Sequence, residues 1–434
     1  MKEALTHKKK NGLFILILAL LWLPFMQEKI HFYEEKPLKG DVKEVADPGF
    51  DKNAWLSGDY QEKKETYLNQ SFGFRNTMVR LNNQKQYALY NQTKAKEVVI
   101  GKENYLYEEN YITSYLGRNF VGEEKIIKNT ERLQKVQAHL KSMGKDIIFV
   151  LAPGKASFFP EYIPDRYLTE PKGKNNYEGY IEAFKNKGIN YIDFNRWFRD
   201  NKGQKEFPLY AKCGIHWSKY SEILVADSII KYIEALRGAE LPKVVLDSVK
   251  ENQQNLYEDY DIGNGMNLLF ELPVYPMGYP SFHIENKEKT KPVKALVVAD
   301  SYYWGMYNYG ISRDVFSDGG FWYYNKQVYP ESFTQEKAVD QINMEEELAK
   351  NDVFILLFTD ANLHNFDYGF TDLAYNSFFG LSQTQKKDRI TFYINKIKNT
   401  PEWMESIKKQ AEEQGKTLEQ AIKENAEYMV FTEA

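Results

Sequence analysis

Residues 294–305 read KALVVADSYYWG. Ala295, Leu296, Val297 and Val298 form an apolar run with β-branched residues, the pattern of a strand buried on both faces. The run stops at Asp300-Ser301, and bulky aromatics follow at Tyr302, Tyr303 and Trp304. Open α/β sheets gather their ligands at the carboxyl ends of strands, so a hydroxyl in this place is a candidate nucleophile. The plainer reading is a serine that caps a turn or the next helix.

Working outward, similar runs recur. Asp146–Ala152, DIIFVLA, ends in Pro153-Gly154-Lys155; Ile189–Phe194 leads to Asn195; Val353–Phe358, VFILLF, ends in Thr359-Asp360-Ala361-Asn362. Between them lie helical patterns at Glu123–Met143, closed by Gly144, at 174–187, from His216 to about Arg237, and at 332–349. Apolar strands alternating with helices predict an α/β fold: a mostly parallel sheet with helices on both faces. Parallel strands would bring Lys155, Asn195, Ser301, Asp360 and Asn362 to one sheet edge. Residues 98–110, VVIGKENYLYEEN, read as a hairpin, Tyr67–Asn91 as a helix, and 238–290 as looser chain. Near the end, Pro401 can start a helix after Thr400, Gly415 breaks it, and Thr417–Gln420 has capping-box form. The result is a C-terminal helical appendage.

At the other end, Lys8, Lys9 and Lys10 precede an apolar run from Gly12 to Met26. A basic flank before such a run is an export signal, with the lysines kept inside. No small-residue cleavage site follows, which favours an uncleaved N-terminal signal anchor. The expected organisation is a basic stub and anchor at 1–30, a linker at 31–64, the main domain at 65–385 and C-terminal helices at 386–434. The anchor would hold the protein in the inner membrane through residues 12–26, with the main domain periplasmic.

The 434 residues carry a net charge of -4, which gives no electrostatic footprint for nucleic acid. Aromatics reach 15%, with 32 Tyr and 27 Phe, suiting either sugar-facing grooves or a large aromatic core. The single cysteine, Cys213, excludes an intramolecular disulfide, a Cys₄ zinc site and a CxxC motif. Nothing here calls for a cofactor or a metal.

A nucleophilic serine needs a base. Of six histidines, His7 and His31 fall in the stub and linker, His139 inside a polar helix and His283 in the looser region. His216, in KCGIHWSKYS, and His364, in TDANLHNFDYGF, both remain open as the base. For the oxyanion, the Ser301 N–H is the first candidate donor and Asn362 the second. Lys155 reads as a solvated loop lysine or as a contact to a uronate or an acyl oxygen. Trp217, Tyr302, Tyr303 and Trp304 read as core packing or as stacking surfaces for pyranose rings. Asp300 reads as a turn residue bonding local backbone N–H groups, since neighbouring side chains on an extended segment diverge.

Several segments together resemble one family. CGIHWS resembles the D-x-H-W-[ST] motif of the alginate O-acetyltransferase family, periplasmic SGNH hydrolase-like polysaccharide acetyltransferases. ADSYYWG resembles its G-D-S-[FY] nucleophile block, and VVIGKENYLYEENYITSYLG its entry hairpin. LAPGKASFFPEYIP and FGFRNTMVRLNNQ resemble two further segments, in the same order along the chain. The resemblance spans roughly residues 65–385. It implies an SGNH-type fold with Ser301 as nucleophile, His216 as base and Lys155 matching the family lysine. It also implies transfer of an acetyl group to a polysaccharide acceptor, beside a membrane-bound O-acyltransferase acting as acetyl donor.

Two departures stand out. The family's triad aspartate, two residues before the histidine, is replaced by Gly214, and the glycine of the serine block by Ala299. Three outcomes follow. A Ser301–His216 dyad could work with a backbone carbonyl orienting the ring. A carboxylate from elsewhere could substitute, with Asp360 the candidate by sheet-edge position. Or the site could bind sugar without catalysis. The alternatives in function are accordingly an esterase using the same pair and a non-catalytic carbohydrate-binding subunit of a modification complex.

Overall fold

A computed structural model describes residues 2–40, 45–285, 291–380 and 383–433. Its strands are β1 (Val98–Ile100), β2 (Leu106–Glu108), β3 (Asp146–Ala152), β4 (Tyr191–Asp193), β5 (Lys243–Asn252), β6 (Met277–Glu285), β7 (Ala295–Ala299), β8 (Phe321–Tyr323), β9 (Gln327–Tyr329) and β10 (Val353–Thr359). Six of them form the central sheet in the order β4-β3-β10-β7-β8-β9. All its neighbours are parallel except β8 and β9.

Every residue of β3, β7 and β10 is buried. Alternate side chains feed two cores, because successive Cβ atoms point to opposite faces. Ile148, Val150, Val297, Ala299, Ile355 and Leu357 enter one core with the helix Lys219–Arg237. Phe149, Leu151, Leu296, Val298, Phe354 and Leu356 enter the other, under the helices Glu123–Ser142 and Asn176–Lys187. Truncating a central residue such as Leu356 to alanine would cost about 2–5 kcal/mol.

Several elements differ from expectation. The looser region 238–290 holds the antiparallel ribbon β5–β6. The helix expected from His216 starts at Lys219, because Ser218 caps it, its Oγ accepting from the Ser221 N–H. The helix expected at 332–349 is confined to Met344–Lys350, where the Asn343 side chain caps the Glu345 N–H. The helix expected at 67–91 is two, Asp59–Ser71 and Arg75–Tyr90. The break lies at Gly73, where an added Cβ would stand 2.8 Å from the Glu28 N atom and collide with the Pro24 carbonyl. The N-terminal helix therefore crosses the chain closely here, and Phe74 turns through a left-handed conformation at φ +65°.

That N-terminal helix runs from Lys2 to Ile30, and its Lys10–Ile30 part is long and apolar enough to cross a membrane. The chain beyond it straps onto the main domain. Phe32 and Tyr33 pack on Phe74, and Arg80 donates to the carbonyls of Pro37 and Leu268. The Asn267 side chain then grips both the N–H and the carbonyl of Lys39. At the other end, helices Gln383–Lys398, Pro401–Glu413 and Leu418–Glu433 enclose their own small core around Ile397, Ile407 and Ile422.

Candidate active site

Ser301 stands at the carboxyl end of β7, on the first residue of a one-turn 3₁₀ helix, Ser301–Tyr303. The N–H at such a position has no intrahelical partner. Asp300 is fully buried and fixes the turn from below. Its carboxylate accepts from the Tyr302 N–H at 3.1 Å, and from the Thr359 N–H, Thr359 Oγ1 and Asn362 Nδ2 at 2.8 Å each. Burial raises its pKa, and these hydrogen bonds oppose the rise. They join the ends of β7 and β10, so the turn that carries Ser301 is pinned to the sheet.

His216 arrives on an extended segment that is equally constrained. Lys155 is fully buried and donates to the carbonyls of Lys212 at 2.7 Å and Gly214 at 2.5 Å. Burial pushes its pKa down to about 8. The Tyr302 hydroxyl donates to the Ile215 carbonyl at 2.6 Å, and its ring lies 4.9 Å from the imidazole. The backbone of Trp217 bridges Tyr210, and the Trp217 indole is buried against Phe194, Phe198 and Tyr302. Buried beside these contacts, the Cys213 thiol is pushed up to about 11 by its burial, so it is no nucleophile near neutral pH.

These two segments meet. His216 Nε2 lies 2.9 Å from Ser301 Oγ, across a separation of 85 residues. On its other side, Nδ1 lies 2.9 Å from Asp261 Oδ2. Asp261 is itself held by backbone: Oδ1 accepts from the Ile215 N–H at 2.9 Å and the Ile262 N–H at 2.6 Å. Burial acts to lower the His216 pKa, but the Asp261 hydrogen bond and charge, with Asp300 and Glu222 behind, leave it raised. A serine, an imidazole and a carboxylate thus lie in line, each with a hydrogen bond to the next.

Gly214 explains why the carboxylate comes from Asp261. A Cβ at 214 would stand 2.8 Å from the carbonyl carbon of Asp259 and 2.9 Å from its oxygen, and would collide with the Glu258 carbonyl. The segment carrying Asp261 occupies the space an aspartate at 214 would need.

Residues 98–260 match the family model for the SGNH hydrolase-like domain of the acetyltransferase AlgX. That segment is similar to an AlgX-type domain. His216 lies inside the matched segment, and Asp261 and Ser301 lie beyond it. Among solved structures, the O-acetyltransferase domain of Pseudomonas putida AlgJ is similar over 64% of this chain and 99% of that one, at 14% identity and TM-score 0.42. Pseudomonas aeruginosa AlgX is similar over 64% of this chain and 67% of that one, at 15% identity and TM-score 0.40. Bacillus cereus PatB1 is similar over 63% and 99%, at 13% identity and TM-score 0.37. No curated protein matches the sequence. The SGNH hydrolase-like fold is that of the parallel sheet described above.

The residues singled out from the sequence separate in the structure. Ser301 and His216 come together. Asp360 does not reach His216: its buried carboxylate accepts from Ser157 Oγ and from Asn195 Nδ2 at 2.9 Å, and burial pushes its pKa up to about 6. It ties the ends of β10, β3 and β4 together. Lys155 is neither solvated nor in the cleft; it clamps the histidine segment. Trp217 and Tyr302 face the core. Asn362 reaches the cleft wall, but its amide nitrogen donates to Asp300 at 2.8 Å and Thr359 Oγ1 at 3.1 Å, which uses both hydrogens. It is therefore no oxyanion donor here.

His216, Asp261 and Ser301 open onto a cleft of about 620 Å³. Its walls bring in groups that sequence reasoning missed: Glu108 at the end of β2 with Asn110 and Tyr111 beyond it, Tyr323 at the end of β8 with Tyr324 beyond it, and Lys39 and Gly40 from the N-terminal strap. Glu108 is largely buried, and its pKa is raised by that burial and by the charge of Asp261. Such a cleft has room for a sugar residue and a small acyl group together.

Proposed function

We propose that this chain is an extracytoplasmic O-acetyltransferase that moves an acetyl group through an acyl-serine to a hydroxyl of a polysaccharide. The observation that carries the reading is the unbroken Ser301–His216–Asp261 relay, 2.9 Å at each link, opening on a cleft. His216 Nε2 takes the Ser301 proton as Oγ attacks the acetyl carbonyl, and returns it to the departing group. An acceptor hydroxyl then repeats the step in reverse, with His216 again as base. Asp261 holds the imidazole so that Nδ1 carries the proton and Nε2 is free to accept one. The apolar helix at Lys10–Ile30 anchors the domain in the inner membrane, and a membrane-bound O-acyltransferase supplies the acetyl group on that side.

The test is incubation of the purified protein with an activated acetyl ester, with and without oligosaccharide acceptor, read by mass spectrometry. Acetylated sugar and a Ser301-linked acetyl adduct are expected. Acetate release that ignores the sugar would make the protein an esterase. Unchanged sugar acetylation by Ser301→Ala would defeat the acyl-serine reading, and neither transfer nor acetate release by the parent would leave a carbohydrate-binding subunit.

A further inference from the structure

Acyl transfer puts negative charge on the carbonyl oxygen, and the site must supply donors for it. The Ser301 N–H is one. With Asn362 committed to Asp300, a second must come from elsewhere on the cleft wall. Tyr324 lines the same cleft as Ser301 and His216. We propose that the Tyr324 hydroxyl is the second oxyanion donor. The proposal rests on the acyl-serine reading above and adds a residue to it.

The local structure is built to aim this one phenol. Tyr324 follows β8 in a left-handed conformation, φ +52°, as does Asn325 next to it. Bulky residues adopt this conformation at a cost, which persists only where surrounding contacts enforce it. Here they do. The Tyr324 N–H donates to the Ala299 carbonyl at 2.8 Å, two residues before the nucleophile. Its ring sits edge-on to Tyr368, with centroids 4.9 Å apart. Tyr368 is tied in turn: its hydroxyl donates to Asn362 Oδ1 at 2.9 Å, and its carbonyl accepts from Asn325 Nδ2 at 3.0 Å. Asn362 thus acts twice as a brace, for Asp300 and for Tyr368. Burial and the charge of Asp300 raise the Tyr324 pKa, so the phenol remains protonated and can donate.

The step balances without any further reactant. Ser301 Oγ forms a bond to the acyl carbon as its proton passes to His216 Nε2. The carbonyl π pair moves onto oxygen, which accepts hydrogen bonds from the Ser301 N–H and the Tyr324 O–H. Collapse returns that pair, expels the leaving oxygen and sends it the proton from His216. Tyr324 loses no proton at any point.

Two variants test this with an activated acetyl ester as substrate. Tyr324→Phe keeps the ring and its Tyr368 contact; it should lower kcat by roughly 10²–10³-fold with KM and the thermal midpoint unchanged, the loss typical of one oxyanion donor. Replacing Tyr324 with a difluorotyrosine keeps the shape and acidifies the hydroxyl. It should add a descending limb to kcat against pH, because an ionised phenol cannot donate. A kcat within twofold of the parent for Tyr324→Phe, or no new limb for the fluorinated protein, overturns the proposal. Ser301→Ala, run alongside, separates the two claims: if it stays active the acyl-serine itself fails, and if it is dead while Tyr324→Phe is normal, only the role of Tyr324 fails.

Discussion

Asp261→Asn isolates the carboxylate that this chain draws from an unusual place. An amide can still accept from the Ile215 and Ile262 N–H groups that now bind Oδ1. What it presents to His216 Nδ1 in place of Oδ2, however, is an N–H₂ donor. The imidazole must then carry its proton on Nε2, and that proton points at Ser301 Oγ instead of a free lone pair. Serine proteases with the corresponding change lose about 10⁴ in kcat, or about 5.5 kcal/mol of transition-state stabilisation. The same size of loss is expected here in ester hydrolysis or transfer. A second readout follows from the charge. Asp261 raises the His216 pKa against burial. Activity needs neutral imidazole, so in the parent it rises with pH through that raised value. In Asp261→Asn the residual activity should rise at lower pH. The double variant Gly214→Asp with Asp261→Asn should not recover, because the backbone of Glu258 and Asp259 fills the space beside 214. A kcat for Asp261→Asn within tenfold of the parent, or rescue by the aspartate at 214, would refute this account of the relay.

Other outcomes follow from the surrounding framework. Lys155→Met leaves two carbonyls of the histidine segment without their donor, and should cost about 1–3 kcal/mol per buried unpaired group in denaturant unfolding, with a fall in kcat as His216 loosens. Asp360→Asn should lower the thermal midpoint through its Ser157 and Asn195 contacts while leaving kcat per folded molecule within a few-fold. Asp259 is buried and its carboxyl is raised to about 7 by that burial, against about 3.9 in the unfolded chain. The folded state therefore binds more protons between those values, and this group makes stability fall as pH rises through that window. Asp259→Asn should flatten that part of the thermal midpoint against pH; an unchanged slope would assign the dependence elsewhere.

The sheet was legible because its central strands are buried on both faces. DIIFVLA, apolar after its leading aspartate, and ALVVA are unbroken runs, and the structure starts and stops β3 and β7 at those residues. β8 and β9 were not legible, since three residues each are too few to show a period. Nor was the β5–β6 ribbon: β5 lies largely in solvent and KVVLDSVKEN mixes charge and apolar residues without alternation. Asp261 escaped because its contact with His216 spans 45 residues and its neighbourhood, DIGNG, looks like any polar turn. Lys155 was visible at the edge of the sheet, and Trp217 and Tyr302 as neighbours of His216 and Ser301. Their depth was not, because the folding of 208–218 over them is a tertiary fact with no local signature.

The strap from Phe32 to Gly40 has a practical consequence. One continuous stretch of chain leaves the apolar helix, docks through Arg80 and Asn267, and finishes as part of the cleft wall at Lys39 and Gly40. Apolar helix and cleft are therefore not separable modules. A recombinant fragment trimmed to begin at residue 65 would be freed from its helix only by removing part of the cleft wall, so any loss of function in it would be an artefact of the scissors.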